Sequence, residues 1–422
     1  MSEIRVCGYR PLSGEIKIQG SKNGVLPMLA ASILQKGTVQ FTNVPIIQDV
    51  ACMVGILEFM GCRCRLEGSR LSVDASEIEH TQIPKEDVGK MRSSILVMGA
   101  LLGRKKRAVT WYPGGCTIGS RPIDLHLKAF SCLGVQVKEE EGRVEAFADT
   151  LNGSRIVFPF PSVGATENAL LAAVLAEGET EISGAAKEPE IESLCRFLNQ
   201  MGADIRGIGS GRLRIRGVKE LHGTEFEVPG DRIAAGTYLI AVAAAGGEAG
   251  ILNAPWEDMQ EVVQVLRAVG ATVEPFSGKP KRAGIEIKMK GRPKAIHLAT
   301  GPYPEFPTDL QSPMLAVLTR AEGTSIIEER VFEARFKTVG ELWKMGAQIE
   351  IMGNRAVIYG KNRLRGTDVK AWDLRGGAAL AAAALAAQGE TRISDCIYIE
   401  RGYEDICRDL RCLNGAIERL SP

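Results

Sequence analysis

The densest set of reactive side chains in this sequence is Pro113-Gly-Gly-Cys116-Thr-Ile-Gly119-Ser-Arg121-Pro122-Ile123-Asp124-Leu125-His126. Three glycines within seven residues predict a mobile loop rather than a packed strand. A cysteine in such a loop is accessible. Arg121, or the partners of a bound anion, can then alter its thiol acidity. The bland alternative is a passive surface thiol, and the loop setting favours a chemical role.

A second set is spread along the chain. Ser21-Lys22-Asn23-Gly24, Met91-Arg92-Ser93-Ser94, Gly164-Ala-Thr166-Glu167, Gly230-Asp231-Arg232, Pro307-Thr308-Asp309 and Asp373-Leu374-Arg375-Gly376 each precede an apolar helical run. Ser, Thr and Asp there are sound N-caps. The cations Lys22, Arg92, Arg232 and Arg375 fit less well, because positive charge at a helix N-terminus opposes the macrodipole unless an anion lies between them. Helix N-termini with added Lys or Arg make good sites for phosphate or carboxylate. A shared anionic ligand therefore explains the pattern better than solvated charge.

The elements that must position these residues repeat. An apolar helix ending in Gly and followed by a β-branched strand recurs at Gly37, Gly103, Gly178, Gly247, Gly323 and Gly389. A second helix-Gly-strand phrase follows at Gly61, Gly134, Gly202, Gly270, Gly346 and Gly415, with spacings of 73, 68, 68, 76 and 69 residues. Glycine suits the left-handed position where a helix hands over to a strand. The pattern predicts six βαβα-type units of about 70 residues, longer than the repeats of ordinary solenoids. Six units exceed one core, so three and three is the natural division. The turn Val228-Pro-Gly-Asp231 marks the midpoint, and Gly20-Ser21 marks a second crossing. Residues 1–20 with 231–422 are expected to form one discontinuous domain. Residues 21–230, carrying the Cys116 loop, form the other.

Composition limits the partners. Among 422 residues, Lys and Arg total 52 against 51 Asp and Glu, a net charge of +1. Such balance argues against nucleic acid or an acidic membrane bound through bulk charge, while a local basic site remains open. The apolar run Ala378–Ala387 is too short to cross a bilayer, and the first twenty residues lack a signal-peptide layout. A cytoplasmic protein is expected. Ten cysteines in a chain this long read as reduced, mostly buried thiols, and neither they nor the four scattered histidines have zinc-site spacing. No metal and no cofactor are expected.

The sequence resembles the enolpyruvyl transferases, in particular those that act on UDP-N-acetylglucosamine. The resemblance covers nearly the whole chain. It rests on Gly20-Ser-Lys22-Asn23-Gly24, the loop from Gly114 to Leu125, Phe306-Pro-Thr-Asp309, Asp373-Leu-Arg375 and Arg401-Gly-Tyr403-Glu404. It implies two inside-out α/β domains of three similar units each, with helices toward the domain interior and their N-termini facing an interdomain cleft. It also implies transfer of the enolpyruvyl group of phosphoenolpyruvate to the sugar's 3-hydroxyl with release of phosphate, the opening step of peptidoglycan synthesis.

By the same resemblance, Lys22, Arg121 and Arg401 hold phosphoenolpyruvate, Arg375 lies in that clamp, and Asn23 sits where the substrates meet. Arg92, Arg121, Pro122, Ile123, Asp124, Leu125, Asp309 and Val331 hold the nucleotide sugar. The chemistry needs a base for the hydroxyl and an acid for the methylene carbon. Asp309 is the candidate base, with a plain N-cap as its bland alternative. Cys116 is the candidate acid, and it can also form an adduct with phosphoenolpyruvate. Closure of the loop is expected to exclude water from a reactive centre. Some family members carry a lysine just before Ser162-Val163-Gly164, where this chain reads Phe158-Pro-Phe160-Pro161. The nearest rival activity uses shikimate 3-phosphate as acceptor. A non-catalytic nucleotide-sugar-binding paralogue is the rival from another class.

Overall fold

A computed structural model of the chain describes residues 3–112, 122–276 and 283–420. The described chain divides into two compact units, residues 20–112 with 122–229 and residues 3–19 with 230–420.

The first of these units is built around three buried helices, Lys22–Ala31, Leu96–Lys105 and Val163–Ala173. They are apolar over most of their length, with Thr166, Glu167 and Asn168 the buried polar residues of the third, so a surface position would leave apolar residues of each exposed. The chain buries them together and lays three sheets over them. The strands show why: along Thr38–Thr42 and Glu179–Ser183 buried and more exposed residues alternate. The period of two turns one face to the helices and the other to water. In the third sheet Thr180 pairs with Ile215 and Ile182 with Leu213, all four buried.

The second unit repeats the plan around Arg232–Ala245, Gln311–Leu318 and Leu374–Ala386. In the last of these every residue from Arg375 to Ala386 is buried. Its alanines let it pack closely against the other two helices. A Leu at Ala381 would overfill that contact at a cost of about 1–3 kcal/mol.

Each repeat is a βαβα phrase whose second helix generally leads into a two-stranded hairpin. Pro189–Gln200 runs into Asp204–Arg206 and Arg212–Arg216, for example. The last repeat has only Ile417–Leu420 there, and the amino-terminal strand Glu3–Cys7 completes the sheet, pairing Ile4 with Ile393 and Arg5 with Glu418. Leu12–Lys17 joins the same unit, parallel to Gly247–Leu252. The fold is thus two inside-out α/β domains, each of three similar units with helices interior.

The glycines that punctuate the repeats take positive φ with two exceptions. Gly103 lies inside its helix, and the left-handed position falls to Lys106 at φ 58°. Near Gly415 the same role passes to Asn414 at φ 62°. The helix-to-strand handover is kept in both places, moved by a residue or more.

Candidate active site

In the unit holding residues 20–112 and 122–229, Ser21 caps the Lys22–Ala31 helix by accepting from the Gly24 N–H at 3.1 Å. That cap fixes Lys22 as the first helical residue. Its Nζ lies 2.7 Å from Oδ2 of Asp49, and both side chains are almost fully buried. Asn23 beside it is half-buried. Asp49, in the first turn of Gln48–Phe59, is a residue that the motif reading missed, since nothing in the spacing links it to Lys22.

Arg92 opens a short 3-10 turn, Arg92–Ile95, and its Nη2 donates to the Pro122 carbonyl at 3.3 Å. This ties Arg92 to the run Pro122–Leu125, where Ile123 and Leu125 point into the core and Pro122 and Asp124 are exposed. Cys116 and Arg121 lie outside the described residues.

In the other unit Asp309 is the centre of a charged cluster. It lies inside the turn Thr308–Leu310, whose N-cap is Pro307, so the plain N-cap reading does not hold. Arg335 donates to Oδ1 at 2.5 Å and Arg375 to Oδ2 at 2.9 Å. The side chains of Arg335 and Arg375 are only 3% and 6% exposed, against 25% for that of Asp309. Each has further support. Arg335 Nε donates to the Thr308 hydroxyl at 3.2 Å, which in turn donates to Glu329 at 3.0 Å. Glu329 also accepts the N–H groups of Val331 and Phe332. Val331 is therefore held on a shaped turn with its side chain exposed.

Arg375 is held from the other side by Tyr403, whose hydroxyl accepts from Nη1 at 3.3 Å and lies 2.8 Å from the Thr237 hydroxyl. Burial alone would push Arg375 down. Asp309, then Tyr403, outweigh it and hold the guanidinium above its ordinary range. Burial likewise raises the Tyr403 phenol, against the opposing pull of Arg375. Asp373 caps the Leu374–Ala386 helix through the N–H groups of Arg375 and Gly376. Arg401 ends the 3-10 segment Cys396–Arg401 and is half-buried. The backbone after it is pinned by Gln19, which donates to Gly402 and accepts from the Glu404 N–H.

These contacts change one premise. Lys22 and Arg375, read from sequence as cations lacking an anion, each have a protein carboxylate within 3 Å. Arg92 is turned to a carbonyl, and Arg232 lies over the Tyr303 ring at 5.7 Å. What the chain has built at these helix starts is pairs already organised, not bare charges. Arg335, Glu329 and Asp49 complete those pairs. They sit away from the repeated helix starts, so periodicity could not find them.

Among the described residues no group of His, Cys, Asp and Glu is arranged to hold a metal ion, and no helix is long and apolar enough to cross a membrane. The described cysteines are free thiols, with Cys62, Cys195, Cys396 and Cys407 buried.

Paired cations and carboxylates at helix starts recur in both of the inside-out α/β domains. The family model for EPSP synthase (3-phosphoshikimate 1-carboxyvinyltransferase) matches residues 6–410, and the chain belongs to this family, the enolpyruvyl transferases. Within it the similarity is narrower. A UDP-N-acetylglucosamine 1-carboxyvinyltransferase 1 of Caldanaerobacter subterraneus is 46% identical over 97% of both chains. A UDP-N-acetylglucosamine 1-carboxyvinyltransferase of Clostridium botulinum is 45% identical over 100% of both. Among solved structures, the enolpyruvyl transferase NikO from Streptomyces tendae superposes with a TM-score of 0.88 over 100% of both chains at 24% identity, and so bears on fold alone.

Proposed function

We propose that this enzyme transfers the enolpyruvyl group of phosphoenolpyruvate to the 3-hydroxyl of UDP-N-acetylglucosamine with release of phosphate. The observation that carries the choice of acceptor is the similarity at 45% identity to a UDP-N-acetylglucosamine 1-carboxyvinyltransferase along the full length of both chains. In the first step the sugar oxygen bonds to C2 of phosphoenolpyruvate and a proton is added to C3. In the second, C3 loses a proton and the C2–O bond to phosphate breaks, restoring the double bond.

Asp309 takes the hydroxyl proton and Cys116 delivers one to C3. With Arg335 and Arg375 occupying both oxygens, Asp309 exchanges one of those partners for the sugar hydroxyl as it acts. Lys22, Arg121 and Arg401 hold the phosphate and carboxylate of phosphoenolpyruvate, with Arg375 beside them and Asn23 where the substrates meet. Arg92, Arg121 to Leu125, Asp309 and Val331 hold the nucleotide sugar. Cys116 is also the residue that phosphoenolpyruvate modifies. The role that follows is the first committed step of peptidoglycan synthesis in the cytoplasm, and through it cell-wall growth, shape and division.

Phosphate release measured with each acceptor tests the reading. Dependence on UDP-N-acetylglucosamine is expected. Dependence on shikimate 3-phosphate alone would overturn it, and binding without turnover in either case would favour the non-catalytic paralogue.

A further inference from the structure

Gln19 is the last residue of its unit before the chain passes into the other, and no step of the proposed reaction uses it. Its backbone is anchored. Ile18 before it is buried, donates its N–H to the Leu252 carbonyl at 2.8 Å and accepts from the Asn253 side chain at 3.1 Å. The Gln19 carbonyl accepts from the N–H of Asp231, the residue that caps the Arg232–Ala245 helix through Ile233 and Ala234. The side chain therefore starts from a fixed point.

From there it meets a segment more than 380 residues further along the chain. Nε2 donates to the Gly402 carbonyl at 3.0 Å, and Oε1 accepts from the Glu404 N–H at 2.9 Å. Together the two bonds set the orientation of the amide, because turning it over would place donor against donor and acceptor against acceptor. They also account for the residue type. An ionised glutamate has no donor for a carbonyl, asparagine is one methylene shorter, and methionine has the length but makes neither bond.

The backbone that Gln19 holds lies between two short helices. The 3-10 segment Cys396–Arg401 ends where Gly402 and Tyr403 both donate to the Ile399 carbonyl at 3.1 Å. Asp405 caps the next helix, Ile406–Cys412, through the Arg408 N–H. The Gly402 carbonyl and the Glu404 N–H fall in the gap, and one side chain from the start of the sequence serves both. Gly402 also packs on Leu374, the first residue of the helix that carries Arg375, since a Cβ there would lie 2.7 Å from the leucine side chain. Tyr403, between the two clamped residues, is fixed at its hydroxyl by Arg375 and Thr237. The turn is thus held at its backbone, at its aromatic ring and by packing. Arg401 departs directly from it, half-buried, at the end where Gln19 takes hold. Misplacing a substrate-positioning group by about 1 Å can cost about a hundredfold.

We propose that Gln19 is a positioning residue for phosphoenolpyruvate: its carboxamide fixes the turn 402–404 and, through it, the direction in which Arg401 meets the anionic groups of that substrate. This rests on the role given to Arg401 above.

The test uses the full chain. Q19M keeps the length and removes both bonds, and Q19E keeps the acceptor for Glu404 while losing the donor for Gly402. Q19M should raise KM for phosphoenolpyruvate tenfold or more, with kcat and the KM for the acceptor within about threefold of wild type. Q19E should raise the same KM, since its carboxylate faces a carbonyl. R401K separates action through Arg401 from action elsewhere. It should raise this KM by itself, and adding Q19M to it should cost less than about threefold more, because the residue acted through is already changed. An unchanged KM for phosphoenolpyruvate in Q19M, an equal rise in both KM values, or the full effect of Q19M in the R401K background would each overturn the proposal. Should Q19M fail to fold, Q19E, alone and with R401K, is read in the same way. An unchanged KM in R401K would sink the role of Arg401 and this proposal with it, whereas an effect of R401K without one of Q19M sinks the proposal alone. The measurement uses whichever acceptor supports turnover, so a wrong acceptor assignment leaves the test intact.

Discussion

Replacing Asp309 with alanine probes both halves of its assigned role. The substitution removes the one carboxylate shared by Arg335 and Arg375, whose side chains are 3% and 6% exposed. Breaking a buried ion pair by deleting one partner costs about 3–5 kcal/mol, because the remaining charge stays buried without compensation. Two features hold the loss near the lower end. Asp309 is itself a quarter exposed, so water can enter the space it leaves. Arg335 keeps Thr308, and Arg375 keeps Tyr403. A loss of about 3 kcal/mol in a domain of roughly 200 residues lowers its Tm by about 6–12 °C.

Calorimetry of the full chain, compared with wild type, reads this directly. Formate at tens of millimolar should restore part of the loss by binding between the guanidiniums, since a ligand specific to the folded state stabilises it by mass action. Phosphate release should fall by about 10²–10⁴ in D309A if the carboxylate takes the hydroxyl proton. D309N should be as inactive as D309A while keeping more of the stability. A Tm within about 2 °C of wild type would refute the buried-bridge argument, and turnover of D309N within threefold of wild type would refute the base.

Three further outcomes are expected. Tyr403→Phe deletes the hydroxyl that joins Thr237 to Arg375 and should cost about 1.5–3 kcal/mol, the range for a hydrogen bond to a charged group, with denaturant unfolding as the assay. Cys116→Ser should slow turnover and abolish covalent labelling by a fosfomycin-like epoxide, read as the loss of a mass adduct; labelling at another cysteine would count against the loop thiol. For His126, pushed down by burial and next by the positive charge of Arg92, the folded value, about 4, lies below the ordinary 6.5. The unfolded chain therefore binds the extra proton first, and this group's stability is full above about pH 6.5 and lost as pH falls through about 4. Glu167, raised by burial and then by Glu190, opposes that slope, since its contribution is present at low pH and lost as pH rises. The difference in unfolding free energy between wild type and H126Q across pH 4–7 should therefore isolate the histidine, and a pH-independent difference would rule it out.

What could be read in the residues and what could not divide along one physical line. The repeat was legible because each unit solves the same local problem: an apolar helix must end, reverse and become a strand. A left-handed residue does that, and glycine adopts the conformation most easily. Where Lys106 and Asn414 take the position, the conformation persists and only the residue signal shifts. The helix starts were legible for the same reason, since Ser21, Asp231 and Asp373 are caps that accept from backbone N–H groups two or three residues ahead. The partners were not. Asp49 meets Lys22 from another helix, Arg335 meets Asp309 from 26 residues away, and Asn168 meets His126 across 42. None of these pairs has a period, because each is set by how elements pack. The misfit of a cation at a helix N-terminus was a real signal that something anionic must lie there. Whether that anion belonged to the substrate or to the protein was a question of packing. The carboxylates beside Lys22 and Arg375 make it first the protein's own, which is why removing Asp309 should cost stability before any substrate is added.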